Sequence, residues 1–242
     1  MKPKKQEKQE PERKEPKKTI AIIPMRAGSK GIPNKNMIAF CGKALCRWTI
    51  DQATRSGRFD KVIVSTDSAE YREKIDLWYP GAGLVPYLRP EELARNSTPT
   101  KDVILDILER EPGYDTFVLL EPTSPVRCNG DIGAALDMFN ERNAKAMISV
   151  SYDHRTHPAI MFELSKDGRC LIEDTPHLRR QELRPVYHPT GLLYIANVDW
   201  YVTHQTFLTN DTVGYKVQPW QDHEIDDEWD IDICAALMGR IK

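Results

Sequence analysis

From Thr19 onward, short apolar runs of strand length alternate with stretches whose apolar residues recur at helical spacing, and this alternation constrains the fold more than any other feature. TIAIIP, KVIVST, LVPYL, YDTFVLLEP, KAMISVSY, GLLYIA and VGYKVQ read as strands in that order. Between them, ALCRWTIDQATRSG reads as an amphipathic helix ending at Gly57, SAEYREKIDLWY as a helix capped by the segment Thr66-Asp67-Ser68, and KDVILDILER as a helix capped by Thr98 or Thr100. Asp131 begins or caps IGAALDMFNER, a polar helix surrounds NVDWYVTH, and EWDIDICAALMGR closes the pattern. Such an order predicts an α/β fold with a mostly parallel sheet covered on both faces and ligands at the C-terminal ends of the strands. Residues 153–190, rich in His, Arg and Pro, break the rhythm and are expected to cover a site or reach a neighbouring subunit. No internal repeat is visible.

Composition narrows the class. A chain of 242 residues, 40% hydrophobic and 29% charged, has length for one domain, assigned here to 19–242. No apolar run approaches the roughly 18 to 20 residues of a membrane span, and the N-terminus is hydrophilic where a signal peptide is apolar, so a cytoplasmic protein off the membrane is expected. Residues 1–18 carry eight Lys or Arg and four Glu, a balance of +4 that leaves −6 on the rest. A basic and acidic arm without apolar residues reads as disordered, and a mildly acidic body argues against nucleic acid as a partner. The five cysteines (Cys41, Cys46, Cys128, Cys170, Cys234) form no CxxC pair and are expected to be reduced and mostly interior. The six histidines show neither metal-ligand nor nucleophile–base spacing, and no catalytic role is assigned to them.

The chemistry concentrates in two places. Directly after the first strand, Pro24-Met25-Arg26-Ala27-Gly28-Ser29-Lys30-Gly31-Ile32-Pro33-Asn34-Lys35-Asn36 places an Arg, two Lys, two Gly and a Ser in one loop. Glycine lets backbone N–H groups approach an anion while the cations neutralise it, so the loop suits a polyphosphate; an exposed basic turn is the plainer alternative. It lacks the Gly-Lys-Ser/Thr ending of a Walker loop and the GxGxxG of a dinucleotide site. Near the C-terminus, Glu224-Ile225-Asp226, if extended, projects both carboxylates to one side, the arrangement that holds a hard divalent cation such as Mg²⁺ together with phosphate oxygens. Glu228 and Asp230 are equally accounted for as helix N-terminal charges. Together the two concentrations imply a nucleoside triphosphate with magnesium.

The ordered set IAIIPMRAGSKGIPNKN, IVSTD, LRPEELARNST, LLEPTSPVR, RRQELRPVY, TGLLYI and EIDDEWD resembles the cytidylyltransferases that activate sialic acids and related nine-carbon 2-keto sugar acids, and covers the chain from Thr19 to its last helix. The resemblance implies a Rossmann-like nucleotidyltransferase fold with a dimerisation extension at about 153–190 and a homodimer whose extension helps close the partner's site. It also implies Mg²⁺-dependent reaction of CTP with a nonulosonic acid to give CMP-sugar and pyrophosphate. By motif, Arg26, Ser29, Lys30, Lys35 and Asn36 fall on the phosphate loop and its cytidine end, and Arg89 and Thr100 on the base side. Arg26, Lys35 and Asp226 would carry catalysis, with Asp226 and Glu224 as metal ligands. Glu121, Arg180, Gln181, Thr190 and Tyr194 would meet the sugar, and Phe207 is either a wall donated across the dimer or a core aromatic.

Three positions depart from the better-known sialic-acid members. Glu121 stands in place of Gln, Ile160 in place of a Lys, and Thr190 in place of Asn before Gly191. An ionised Glu only accepts hydrogen bonds, so Glu121 is expected to face a hydroxyl or amide N–H, or to be neutralised by Arg180 or Arg127. These changes point to a sugar other than N-acetylneuraminate, with legionaminate-like acids as candidates. The alternatives are an activator of 3-deoxy-manno-octulosonate and a non-catalytic nucleotide-binding homologue.

Overall fold

The computed structural model describes residues 17–29, 31–152, 157–172 and 179–241. Its strands are β1 (Thr19–Pro24), a small hairpin of β2 (Ala39–Phe40) and β3 (Lys43–Ala44), β4 (Lys61–Ser65), β5 (Thr116–Leu119), β6 (Ala146–Ser151), a second hairpin of β7 (Glu163–Leu164) and β8 (Cys170–Leu171), β9 (His188–Asn197) and β10 (Val213–Lys216). The helices are α1 (Leu45–Arg55), α2 (Ala69–Trp78), α3 (Thr100–Arg110), α4 (Asp131–Glu141), α5 (Val198–His204) and α6 (Glu228–Met238).

The six-stranded sheet runs β10-β6-β9-β5-β1-β4. β1 pairs in parallel with β4 and β5, and β6 with β10; β9 is antiparallel to both its neighbours. The period-two alternation of β1 explains the two layers. Ala21 and Ile23 face α1, α2 and α4, whereas Ile20 and Ile22 face α3 and α5. A third cluster joins Ile32 of the basic loop, Val126, Ile225 and Cys234 of α6. That cluster matters for function: the loop after β1 and the acidic segment before α6 are anchored by apolar residues of the same small core.

Several expectations change. LVPYL is not a strand: one bond, Val64 N–H to the Leu84 carbonyl at 2.7 Å, holds it beside β4, and Pro86 has no N–H to continue a ladder. Neither threonine caps α3, whose N-cap is Pro99; Thr100 is its first residue, and Thr98 Oγ1 donates to the Glu92 carbonyl at 3.0 Å. Ser68 does cap α2, accepting from Tyr71 N–H at 3.2 Å. Of the cysteines only Cys46 and Cys234 are buried; Cys41 and Cys170 are exposed, and none of the five forms a disulfide among the described residues. The arm at 1–16, Lys30, His154 and His177 lie outside the described residues. In the excursion, the β7–β8 hairpin exposes Met161, Phe162, Leu164 and Ile172.

Candidate active site

The loop after β1 is held from below. Ala27 N–H donates to Asp67 Oδ1 at 2.8 Å, Asn36 Nδ2 donates to the Arg26 carbonyl at 3.2 Å, and Tyr71 O–H donates to Asn34 Oδ1 at 2.9 Å. Asn36 is thus buried and braces the loop, while its Oδ1 is a buried acceptor with no partner among the described residues. Gly28, at φ +74°, turns the chain into the loop through a conformation that side chains resist. Arg26 donates to Asn96 Oδ1 at 2.6 Å, and Ser29 is half-buried beside it. Further along, the Lys35 ammonium lies 2.8 Å from Asp226 Oδ1; the lysine side chain is 14% exposed and the aspartate 72%. Cation and carboxylate meet because Ile32 and Ile225 share the small core, and because Gly31 lacks a Cβ, which would stand 2.9 Å from the Asp226 carbonyl oxygen.

Ile225 is fully buried, so Glu224 and Asp226 project from the other side of the segment. Glu224 accepts from the backbone N–H of Gly191, yet burial and then the charges of Asp226 and Asp222 raise its pKa. A carboxylate pair in that condition gains from a cation, and Glu224 with Asp226 fits a magnesium ion that brings phosphate oxygens with it. Among the described residues, no three His, Cys, Asp or Glu side chains gather into a metal cage. The close approach depends on Gly191: a Cβ there would lie 2.0 Å from Glu224 Oε1 and 2.7 Å from Ser124 Oγ. Gly191→Ala therefore displaces Glu224 and is expected to lower stability by about 1–3 kcal/mol and turnover by far more than folding accounts for. A variant with normal rates would show that Glu224 is not needed where it stands.

Glu121, just beyond β5, lines two cavities. One, of about 140 Å³, is edged by Arg26, Arg89, Arg95, Thr98 and Thr100. The other, of about 300 Å³, is walled by Tyr194, Tyr201 and Phe207, with Lys101, Gln205 and again Thr100 at its edge. Arg89 is buried, donating to Ser65 Oγ at 3.0 Å and the Ser65 carbonyl at 2.7 Å, and burial lowers its pKa to about 10. Burial, followed by the charge of Glu224, raises the Glu121 pKa to about 7, against the opposing pull of Arg127, Arg89 and Lys35. Arg127 does not neutralise Glu121 by an ion pair. Its guanidinium, fully buried, donates to the Leu192 carbonyl at 2.7 Å, Gln52 Oε1 at 3.0 Å and Thr49 Oγ1 at 3.4 Å, and reaches the carbonyl of Glu121, not its carboxylate, at 3.5 Å.

Tyr194 stands opposite Leu119 in the β5–β9 ladder, its ring 5.1 Å from that of Phe207. Phe207 packs on Phe117 and Tyr201 of its own chain, so it is a wall of this chain's pocket. Thr190 is buried, its hydroxyl donating to Ser149 Oγ at 2.8 Å inside the sheet, and it lines neither cavity. Gln181 is exposed on a 3-10 turn and lines neither cavity, Ile160 is exposed on another, and the side chain of Arg180 lies outside the described residues. Arg95, Lys101, Tyr201 and Gln205 escaped the sequence reading, because each cavity gathers segments far apart in the chain and no local spacing marks them. A further cavity of about 480 Å³ between α1 and the end of α6 contains none of the expected site residues.

The model of a cytidylyltransferase family matches residues 20–160, more than half of the chain, across the basic loop, β5 and β6. The chain belongs to this cytidylyltransferase family. Within it, an N-acylneuraminate cytidylyltransferase of Streptococcus agalactiae serotype V is 36% identical over 204 residues, 83% of this chain and 48% of that protein. This cytidylyltransferase chain thus spans about half the length of that relative. A CMP-N,N'-diacetyllegionaminic acid synthase of Legionella pneumophila is 29% identical over 232 residues, 92% of this chain and 95% of the relative. In fold, the chain matches a CMP:2-keto-3-deoxy-manno-octonic acid synthetase solved with CTP, with a TM-score of 0.68 at 14% identity over 92% of this chain and 99% of that one. Among the described residues, no helix is long and apolar enough to cross a membrane.

Proposed function

We propose that the chain transfers CMP from CTP to the anomeric hydroxyl of a nine-carbon 2-keto sugar acid, releasing pyrophosphate in a Mg²⁺-dependent reaction. The observation that carries the reading is the junction at Glu121 and Thr100, where an arginine-edged cavity beside the basic loop adjoins an aromatic-walled one. The first suits the nucleotide and its phosphates, the second a sugar. The names of the relatives, which include acylneuraminate and legionaminate enzymes, support the same reaction class.

In this reading Arg26 and Lys35 stabilise charge that grows on the departing pyrophosphate, an effect worth more in the transition state than in the ground state. Glu224 and Asp226 would hold the metal, whose chemistry is to bind phosphate oxygens and favour the ionised sugar hydroxyl. The Lys35–Asp226 pair, closed in the free enzyme, would open as Lys35 turns to phosphate and Asp226 to the metal. Arg89, Thr100, Ser29, Lys30 and Asn36 complete the nucleotide side, Asn36 by bracing the loop. Lys35→Ala is expected to lower kcat/KM for CTP by roughly tenfold to a hundredfold, and unchanged steady-state rates would remove Lys35 from the phosphate site.

The dimer belongs to the proposal as well. The apolar residues exposed on the β7–β8 hairpin would be covered by a second copy, which brings the 153–190 excursion, with Arg180 and Gln181, to the partner's sugar side. A monomer mass by light scattering at micromolar concentration would overturn that part. The reaction is tested by pyrophosphate release from CTP and Mg²⁺ with a panel of nonulosonic acids, with ATP, GTP and UTP as controls. Release with CTP and at least one such acid is expected. Release with UTP or ATP in preference to CTP would refute the reading.

A further inference from the structure

The aromatic-walled cavity contains a group left unsatisfied by the fold. The Glu121 carbonyl accepts from Thr49 Oγ1 at 3.3 Å and is reached by Arg127 at 3.5 Å, but its carboxylate receives no hydrogen bond or ion pair among the described residues. Of the nearby guanidinium groups, Arg89 is spent on Ser65, Arg127 on the Leu192 carbonyl and Gln52, and Arg26 on Asn96, while Arg95 edges the other cavity. At the cavity's exposed edge, Lys101 turns its ammonium toward Gln205 Oε1 at 3.4 Å. Three aromatic rings wall the cavity that Glu121 also lines: Phe207 has its centroid 5.1 Å from that of Tyr194 and 4.7 Å from that of Tyr201. Burial keeps both tyrosines as neutral phenols, each raised to about 12.

We propose that this cavity selects a sugar acid carrying a cationic nitrogen substituent, an amidinium or ammonium, that pairs with the Glu121 carboxylate under the faces of Tyr194, Tyr201 and Phe207. The proposal rests on the function argued above, and deepens it. Charge counting supports it. In the free protein Arg127, Arg89 and Lys35 offset Glu121 at a distance without pairing with it; once the nucleotide is bound, Lys35 is engaged by phosphate and Glu224 by the metal. Glu121 then remains on the sugar side with no partner of its own among the described residues. A neutral acetamido group offers the carboxylate one N–H and turns a carbonyl oxygen toward it or away. An acetamidino group of nearly the same shape replaces that oxygen with a second donor and adds a positive charge, which allows two parallel N–H···O bonds to one carboxylate. Aromatic faces add cation–π attraction where water is excluded.

The test compares kcat/KM in CTP-dependent pyrophosphate release for matched nine-carbon 2-keto acids bearing acetamidino or acetamido at C5 or at C7. The native enzyme should prefer one acetamidino acid over its acetamido counterpart by about tenfold, the worth of one charge-assisted hydrogen bond. Glu121→Gln, isosteric and uncharged, should collapse that ratio toward one. Equal use of both acids by the native enzyme, or a preference that survives Glu121→Gln, would overturn the proposal while leaving the cytidylyl reaction standing. If no acid is turned over, the function reading fails instead. Calorimetry with the same acids in the presence of CTP then decides this inference alone: about tenfold tighter binding of the acetamidino form sustains it, and equal binding overturns it. Should Glu121→Gln fail to fold, the native ratio at C5 and C7 still decides.

Discussion

Asp226→Asn is expected to cut CTP-dependent turnover by roughly a hundredfold to a thousandfold, the scale of losing one group that stabilises transition-state charge, while stability changes by less than about 1 kcal/mol. The two effects separate because of where Asp226 sits. Its side chain is 72% exposed, and its ion pair to Lys35 is open to water on the aspartate side. Its neighbour Ile225 holds the segment in place from inside the small core, and the backbone N–H of Asp226 is secured by Asp230 Oδ2 at 2.9 Å. Among the described residues, no hydrogen bond or ion pair uses its second carboxylate oxygen. In the proposed reaction metal and phosphate would depend on it, since an amide oxygen carries no full charge to offer Mg²⁺ or Lys35. Rates over a magnesium titration, with a thermal melt of the same preparation, check both halves. Near-native turnover at saturating magnesium would remove Asp226 from the metal site.

Arg127→Met is expected to act in the opposite way, lowering stability by about 3–5 kcal/mol, which for a domain of this size lowers Tm by roughly 10 °C. Arg127 is fully buried, and burial has already lowered its pKa to about 10. The guanidinium is held because it satisfies acceptors from several elements at once: the Leu192 carbonyl, the Gln52 amide oxygen, Thr49 Oγ1 and the carbonyl of Glu121. Methionine matches some of the volume and none of the donors, so acceptors from α1, β9 and the end of β5 are stranded together. Activity is expected to fall further than the unfolded fraction explains, because the backbone of Glu121 loses a support beside both cavities. Denaturant unfolding followed by tryptophan fluorescence measures the stability change. A loss under about 1 kcal/mol would mean that ordered water replaces the guanidinium.

Much of the frame was legible because periodicity reports burial directly. β1, β4, β5, β6, β9 and β10, and the helices packed on them, came from apolar patterning, since each element faces the core along a fixed stripe or face. Where an exception arose it was a backbone matter. LVPYL has strand-like side chains, and Leu84 and Val85 are buried, but Pro86 denies it a ladder. The excursion was visible as a break in rhythm, whereas its hairpin depends on two short segments meeting, Glu163–Leu164 with Cys170–Leu171.

Residue type and local spacing were enough to mark the basic loop, the Glu224-Ile225-Asp226 segment and the odd carboxylate at Glu121, because charge density, glycine and a strand end lie within a few consecutive residues. Only the tertiary structure decided what each group faces. It turned Thr190 into the sheet, occupied Arg127 with carbonyl oxygens, brought Lys35 to Asp226 across 191 positions of sequence, and placed Arg95, Tyr201 and Gln205 around Glu121. The physical reason is that a strand or helix fixes the side on which a residue lies, whereas the partner on that side is supplied by whichever distant segment packs there, and that packing is settled by the whole core at once.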